Sequence, residues 1–266
     1  MRRAGVLGRP IAHSLSPLLH AAAYEALGLN WRYEAIDCGV DELRAVLAAR
    51  ADWAGFSCTM PLKHVVLEVA DEVQPAAAAI GAGNTLLPRP NGGWIAENTD
   101  VTGIVAAVRE AGVSPQSVTV LGAGGTAQAV LGALAELGVP RCTALVRDRA
   151  RAARLDRTAQ RLGVELLVAD LVRDATALRA DLVVSTLPGA AADALATAAW
   201  HPRQAVLDVV YDPWPTALAA AAQRAGATVL SGARMLLYQA AAQVEVMTGQ
   251  PAPIQAMDTA LRRRLG

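Results

Sequence analysis

The sequence predicts an α/β chain of two domains, and three observations carry that expectation. Short apolar runs alternate with helical segments along the whole length, which implies parallel sheets covered by helices. The composition is 53% hydrophobic and 18% charged with a single Phe, so the cores must pack from small aliphatic side chains. A glycine motif, Gly122-Ala123-Gly124-Gly125-Thr126-Ala127, stands between an apolar run and a helical segment, as in a dinucleotide-binding unit. With 266 residues, two domains of ordinary size can each bury a core.

Taken in order, residues 4–7, 33–36 and 55–58 read as the first strands. Residues 84–87 and 94–96 flank Pro88-Arg89-Pro90-Asn91-Gly92-Gly93, a turn sequence, and so form a hairpin. A helix over about 100–110 then leads to the glycine motif, which puts a domain boundary near residues 99–103. Strands follow at 118–121, 143–146, 182–184, 206–210 and 228–230, with a helix from the glycine motif to about Leu137. The alanine-rich stretches 76–79 and 219–222 are ordinary helix. Ser231 reads as the N-cap of a last helix that carries Met235, Leu236, Gln239, Ala240, Gln243, Val244 and Met247 at helical spacing. Such a helix could return to the first domain and make it discontinuous.

Composition also excludes several classes of partner. The 24 basic and 24 acidic residues cancel, so no overall field recruits nucleic acid or an anionic membrane, and a small molecule is the expected partner. Cys38, Cys58 and Cys142 suggest neither a disulfide framework nor a zinc site, which fits a reducing, cytoplasmic setting. No metal is expected, because His13, His20, His64 and His201 never fall at ligand spacing. The first residues turn to Arg9-Pro10 before any signal-peptide core, and the longest uncharged run, residues 111–135, is broken by Pro115 and five glycines.

In the glycine motif, Gly122 permits the tight turn and Gly124 lets a pyrophosphate approach the backbone, while the helix beginning near Gly125 offers free N–H groups and its positive dipole end. The blander account is a glycine turn that merely packs strand on helix. After the next strand comes Arg147-Asp148-Arg149-Ala150-Arg151. Arginines there would pair with the 2′-phosphate of NADP, and an acid with the ribose 2′-OH of NAD. Three arginines against one acid favour NADP, and Asp148 keeps NAD open; a solvated charge run is the competing account.

Four segments outside this half carry polar residues that core packing would not require. They are Gly8-Arg9-Pro10-Ile11-Ala12-His13-Ser14-Leu15-Ser16-Pro17, Ser57-Cys58-Thr59-Met60-Pro61-Leu62-Lys63, Gly81-Ala82-Gly83-Asn84-Thr85 and Glu97-Asn98-Thr99-Asp100. Their hydroxyls, amides, ammonium and carboxylate suit a polyol bearing a carboxylate. Ser14 and Ser16 could equally start a helix ahead of Pro17, Thr59 and Asn84 could be turn residues, and Asp100 could be a helix cap.

On these segments, with the glycine loop and the late Tyr-Asp and Met-Leu-x-x-Gln-Ala sequences, the chain resembles shikimate dehydrogenases from about Gly5 to Gln243. The resemblance implies a discontinuous α/β catalytic domain, residues 1–101 and 231–266, with a Rossmann NADP-binding domain, 102–230, inserted in it. It implies NADP-dependent reduction of 3-dehydroshikimate to shikimate, on the route to chorismate and the aromatic amino acids, by a monomer or homodimer. Ser14 and Ser16, with Tyr211 nearby, would bind the substrate carboxylate. Thr59, Lys63, Asn84, Asp100 and Gln239 would surround the ring hydroxyls, with Lys63 and Asp100 the catalytic acid/base pair. Gly122, Ala123, Gly124, Gly125, Thr126 and Ala127 would hold the pyrophosphate, Arg147 and Arg151 the adenosine phosphate, and Gly232 with Met235 would approach the nicotinamide.

Two departures from the family pattern stand out: Ser57 occupies a position where many members have Asn, and Val146-Arg147-Asp148 replaces the usual Asn-Arg-Thr. Quinate and amino analogues of shikimate are the alternative substrates, with Ser16, smaller than Thr, favouring shikimate. A catalytically silent NADP-binding sensor is the alternative from another class, against which Lys63 and Asp100 argue.

Overall fold

The computed structural model describes residues 1–171 and 178–266, except for the side chain of Arg151. The chain divides into two compact units, residues 1–103 with 236–266 and residues 104–235. The crossings fall inside two helices, so Gly232 and Met235 belong to the second unit and Gln239 to the first.

In the first unit the elements run β1 (Arg2–Gly8), α1 (Ser16–Ala26), β2 (Trp31–Asp37), α2 (Leu43–Ala48), β3 (Phe56–Cys58), α3 (Val65–Val69), β4 (Glu72–Val73), α4 (Pro75–Ile80), β5 (Thr85–Pro88) and β6 (Trp94–Glu97). Helix α5 (Asp100–Glu110) then carries the chain into the second unit. The strands form one sheet in the order β2-β1-β3-β5-β6-β4. Its first three strands are parallel, while β5 and β6 form the antiparallel hairpin expected around residues 88–93. One core of this unit gathers Leu7, Leu43, Leu47, Trp53, Phe56, Leu62, Val66 and Leu86.

The second unit follows with β7 (Val118–Leu121), α6 (Gly125–Leu137), β8 (Arg141–Val146), α7 (Ala153–Leu162), β9 (Glu165–Asp170), β10 (Leu182–Ser185), β11 (Ala205–Asp208), α8 (Ala217–Arg224) and β12 (Thr228–Ser231). The order β12-β11-β10-β7-β8-β9 is parallel throughout. This is the doubly wound arrangement, in which strand order reverses between β7 and β10. The loop after β7, at that reversal, is the glycine motif. Helix α9 (Gly232–Thr248) returns the chain to the first unit, where α10 (Ile254–Leu265) packs on α1. Ser231 Oγ accepts from Ala233 N at 3.2 Å, the capping contact that its position suggests.

Strand β11 stops at Asp208, two residues short of the run 206–210. The Asp208 carboxylate accepts from Val210 N (3.2 Å) and from Thr216 Oγ1 (2.8 Å), which turns the backbone out of the sheet. Burial pushes this carboxyl above its ordinary range. No described helix is long and apolar enough to cross a membrane.

Candidate active site

The polar cluster of the first unit is assembled from sheet and helix. Strand β3 ends at Cys58 and the chain turns through residues 59–64 before α3, which sets Lys63 in the turn rather than in a helix. Across the sheet, Cys58 N donates to Asn84 O (2.7 Å), and Asn84 N donates to Glu97 O (3.0 Å). These ladder bonds place Asn84 between the ends of β3 and β6, directly before Asp100 begins α5.

Lys63 Nζ donates to Asp100 Oδ2 at 2.5 Å, and the two side chains are 16% and 4% exposed. Asn84 Nδ2 donates to the other carboxylate oxygen, Asp100 Oδ1, at 2.9 Å. Both oxygens of Asp100 therefore act as acceptors. The capping account of this residue gives way to Asn98, whose Oδ1 takes Val101 N at 3.3 Å in the first turn of α5. From α9, Gln239 Oε1 lies 3.3 Å from Asn84 Nδ2, while its own Nε2 donates to Leu236 O (3.0 Å). Lys63, Asn84, Asp100 and Gln239 are thus joined by hydrogen bonds although Gln239 lies 155 residues from Asn84 in the chain. A buried ion pair of this kind is poor evidence for stability, since desolvation offsets its attraction, and is better read as a device for chemistry.

Ser14 and Ser16 stand at the start of α1, where Ser14 Oγ accepts from Ser16 N at 3.3 Å. The helix has Leu15 at its N-cap with no side-chain cap from that position, while Ser14 Oγ takes the first N–H of the helix, so the helix-start reading holds for Ser14. Thr59 follows β3 and packs over Gly8, where a Cβ would come within 2.4 Å of its Cγ2. Among the described residues, no group of His, Cys, Asp and Glu could hold a metal ion.

Three buried polar residues of this cluster have no role assigned from the sequence. Gln243 is wholly buried, and Thr85 and Thr99 are buried beside Asn84. A signal for Gln243 existed: two amides four residues apart on an apolar helix face must both find partners.

In the second unit, Gly122 has φ +109, and a Cβ there would lie 2.7 Å from Thr186 Oγ1, so the tight turn needs glycine. Gly124 precedes α6, and a Cβ there would meet nothing within 4 Å, leaving space for a bulky group above the N–H groups of the first turn. Gly125 and Ala127 are buried in α6, and Ala123 and Thr126 are half-buried beside them. A cavity of about 340 Å³ opens here, lined by Gly122, Ala123, Leu145, Val146, Arg147, Asp148 and Leu187. These residues fit a dinucleotide.

The acid in the cavity is engaged locally. Asp148 Oδ1 accepts from Ala150 N at 2.9 Å and caps the short helical turn of residues 149–152. Arg149 donates to Val168 O (2.9 Å), and among the described side chains Arg147 is the arginine that lines the cavity. The Arg151 side chain lies outside the described residues. Tyr211 is half-buried in the turn after β11. Gly232 packs so tightly on the Val209 backbone that a Cβ would fall 2.1 Å from Val209 O; Met235 is buried one turn later.

Comparison with known proteins covers nearly the whole chain. Residues 6–86 match the shikimate dehydrogenase substrate-binding domain, 118–230 the saccharopine dehydrogenase NADP-binding domain, and 232–262 the shikimate 5′-dehydrogenase C-terminal domain. The shikimate dehydrogenase (NADP(+)) of Moorella thermoacetica is 38% identical over 276 residues, covering 98% of this chain and 92% of that protein. The crystal structure of Mycobacterium tuberculosis shikimate dehydrogenase is similar with a TM-score of 0.89 and 46% identity, over 99% of this chain and 100% of that one. That of Thermus thermophilus shikimate 5-dehydrogenase in complex with NADP(H) and shikimate has a TM-score of 0.83 and 33% identity, over 99% of each chain.

Proposed function

The chain belongs to the shikimate dehydrogenase family, and from that premise we propose that it catalyses the reversible, NADP-dependent interconversion of 3-dehydroshikimate and shikimate in aromatic amino-acid biosynthesis. The observation that carries the chemistry is the buried Lys63–Asp100 pair at 2.5 Å, with the Asn84 and Gln239 amides beside it.

When NADP is bound, its nicotinamide carries the hydride. The protein manages the proton. A lysine ammonium held by a carboxylate can stabilise negative charge developing on the substrate oxygen and exchange a proton with it, so Lys63 and Asp100 act together as the acid/base pair. Thr59, Asn84 and Gln239 bind the ring hydroxyls, amides and hydroxyls being able to both donate and accept. Ser14 and Ser16 bind the carboxylate, with Tyr211 contributing. These roles make residues 1–101 and 231–266 the catalytic domain and 102–230 the cofactor domain.

On the cofactor side, the segment Gly122 to Ala127 cradles the pyrophosphate, and Arg147 with Arg151 takes the 2′-phosphate; Gly232 and Met235 serve the nicotinamide end. Engagement of Asp148 with Ala150 N supports NADP, because a capping carboxylate is turned to its own backbone. Three free, buried cysteines support a cytoplasmic enzyme, which works as a monomer or homodimer.

The test is spectrophotometric turnover with shikimate and with quinate, each offered NADP and NAD. The expected outcome is the highest kcat/KM for shikimate with NADP. A preference for quinate would overturn the substrate, and a preference for NAD the cofactor.

A further inference from the structure

Behind the Lys63–Asp100 pair lies a second line of buried polar side chains, and two main-chain groups fix its direction. The Thr99 N–H can only donate; it does so to Asn84 Oδ1 at 2.8 Å, which leaves Asn84 Nδ2 to face Asp100. The Asn84 carbonyl can only accept, so the group of Gln243 that meets it at 3.1 Å is Nε2, and Gln243 Oε1 faces Ser57. Ser57 must therefore donate to Gln243 (2.6 Å), and the Tyr33 hydroxyl must donate to Ser57. Gln243 Nε2 also donates to Thr85 Oγ1 (2.9 Å), which passes its own proton to Asn84 Oδ1 (2.9 Å). Ser57 and Thr85 face each other across β3 and β5, and Gln243 spans their two hydroxyls from α9.

Every donor in this line thus points the same way, from Tyr33 through Ser57, Gln243, Thr85 and Asn84 to Asp100. All six residues are at most 8% exposed, so water cannot replace a lost member without rearrangement. Ser57 spends its proton on Gln243 and a lone pair on Tyr33, which gives this position a use inside the protein.

Resting on the functional reading above, we propose that Gln243 is a positioning residue for the acid/base pair. It locks the Asn84 amide, and through it the Asp100 carboxylate, with Ser57 and Tyr33 holding Gln243 in turn. Gln243 reaches the reaction through Asn84, so its loss leaves Ser14, Ser16, Thr59 and Gln239 untouched and loosens Asn84 together with the pair. Misplacement of reacting groups by a fraction of an ångström to an ångström costs on the order of ten- to a hundred-fold in rate.

The experiment measures kcat, KM for shikimate and thermal melting for the unaltered enzyme, Gln243→Met, Tyr33→Phe and the double variant. Gln243→Met should lower kcat about ten-fold or more, with KM changed by no more than about three-fold. Tyr33→Phe, which keeps its ring, should lower kcat by about two- to three-fold. In the double variant kcat should equal that of Gln243→Met alone, because the line is already cut. A merely structural role would give losses that multiply. Should Gln243→Met fail to fold, Ser57→Ala cuts the line beside it by removing one oxygen and takes its place in the cycle. An active enzyme whose folded variants keep kcat, or whose losses multiply, would overturn the inference alone. No turnover of shikimate by the unaltered enzyme would overturn it together with the functional reading.

Discussion

Truncating Lys63 removes the ammonium that neutralises Asp100, a carboxylate only 4% exposed, and Lys63 is not among the residues that line the glycine-motif cavity. Lys63→Ala should therefore lower kcat by about 10²- to 10⁴-fold with the Kd for NADP unchanged, as stopped turnover with intact fluorescence titration would show. Asp100→Asn keeps the shape and should also lose kcat heavily; a fall in melting temperature alone would make it a structural residue. The resemblance to shikimate dehydrogenases is what singles out this pair in the sequence, since by residue type alone Asp100 reads equally well as a helix cap. Gln243, Thr85 and Thr99 were not visible in the same way. Their importance comes from where Asn84 points, and an amide's orientation is decided by backbone groups of other strands.

At the scale of elements, the turn after β8 carries the proposed choice of cofactor. Arg147 and Asp148 both line the cavity, and one carboxylate oxygen of Asp148 is held by the backbone of the turn of residues 149–152. Arg147→Ala should weaken NADP about ten- to a hundred-fold and leave NAD nearly unchanged; Asp148→Ser, which can still cap, should tighten NADP. Isothermal titration with both cofactors checks this, and NAD binding damaged by Asp148→Ser would show the acid on the ribose. Strong alternation of apolar runs made most strands legible, including the hairpin. Strand β9 was missed because it is an edge strand whose outward Leu167 is 64% exposed, which breaks the link between apolar sequence and burial. The two-residue β4 is too short to leave any period at all.

For the molecule as a whole, acid stability turns partly on His20. Its Nδ1–H donates to Ser16 O (3.0 Å), its ring stacks on Tyr33, and burial lowers its pKa from 6.5 to about 4. Below pH 6.5 the unfolded chain takes up this proton and the folded one does not, so the stabilisation is complete above that pH and is lost as pH falls toward 4. Between pH 7 and pH 5 the loss should be about 2 kcal/mol in urea unfolding, and His20→Gln, which cannot titrate, should lack that part of the slope. Sequence separation has a further effect on this molecule. Asn84 finds Gln239 and Gln243 only across 155 and 159 residues, because both amides sit on the part of α9 that lies beyond the second unit. During synthesis the second unit can close while the first still waits for most of α9 and for α10. A nascent chain can therefore complete residues 104–235 before Gln239 and Gln243 are made, so the cofactor unit precedes the finished polar cluster in the order of synthesis.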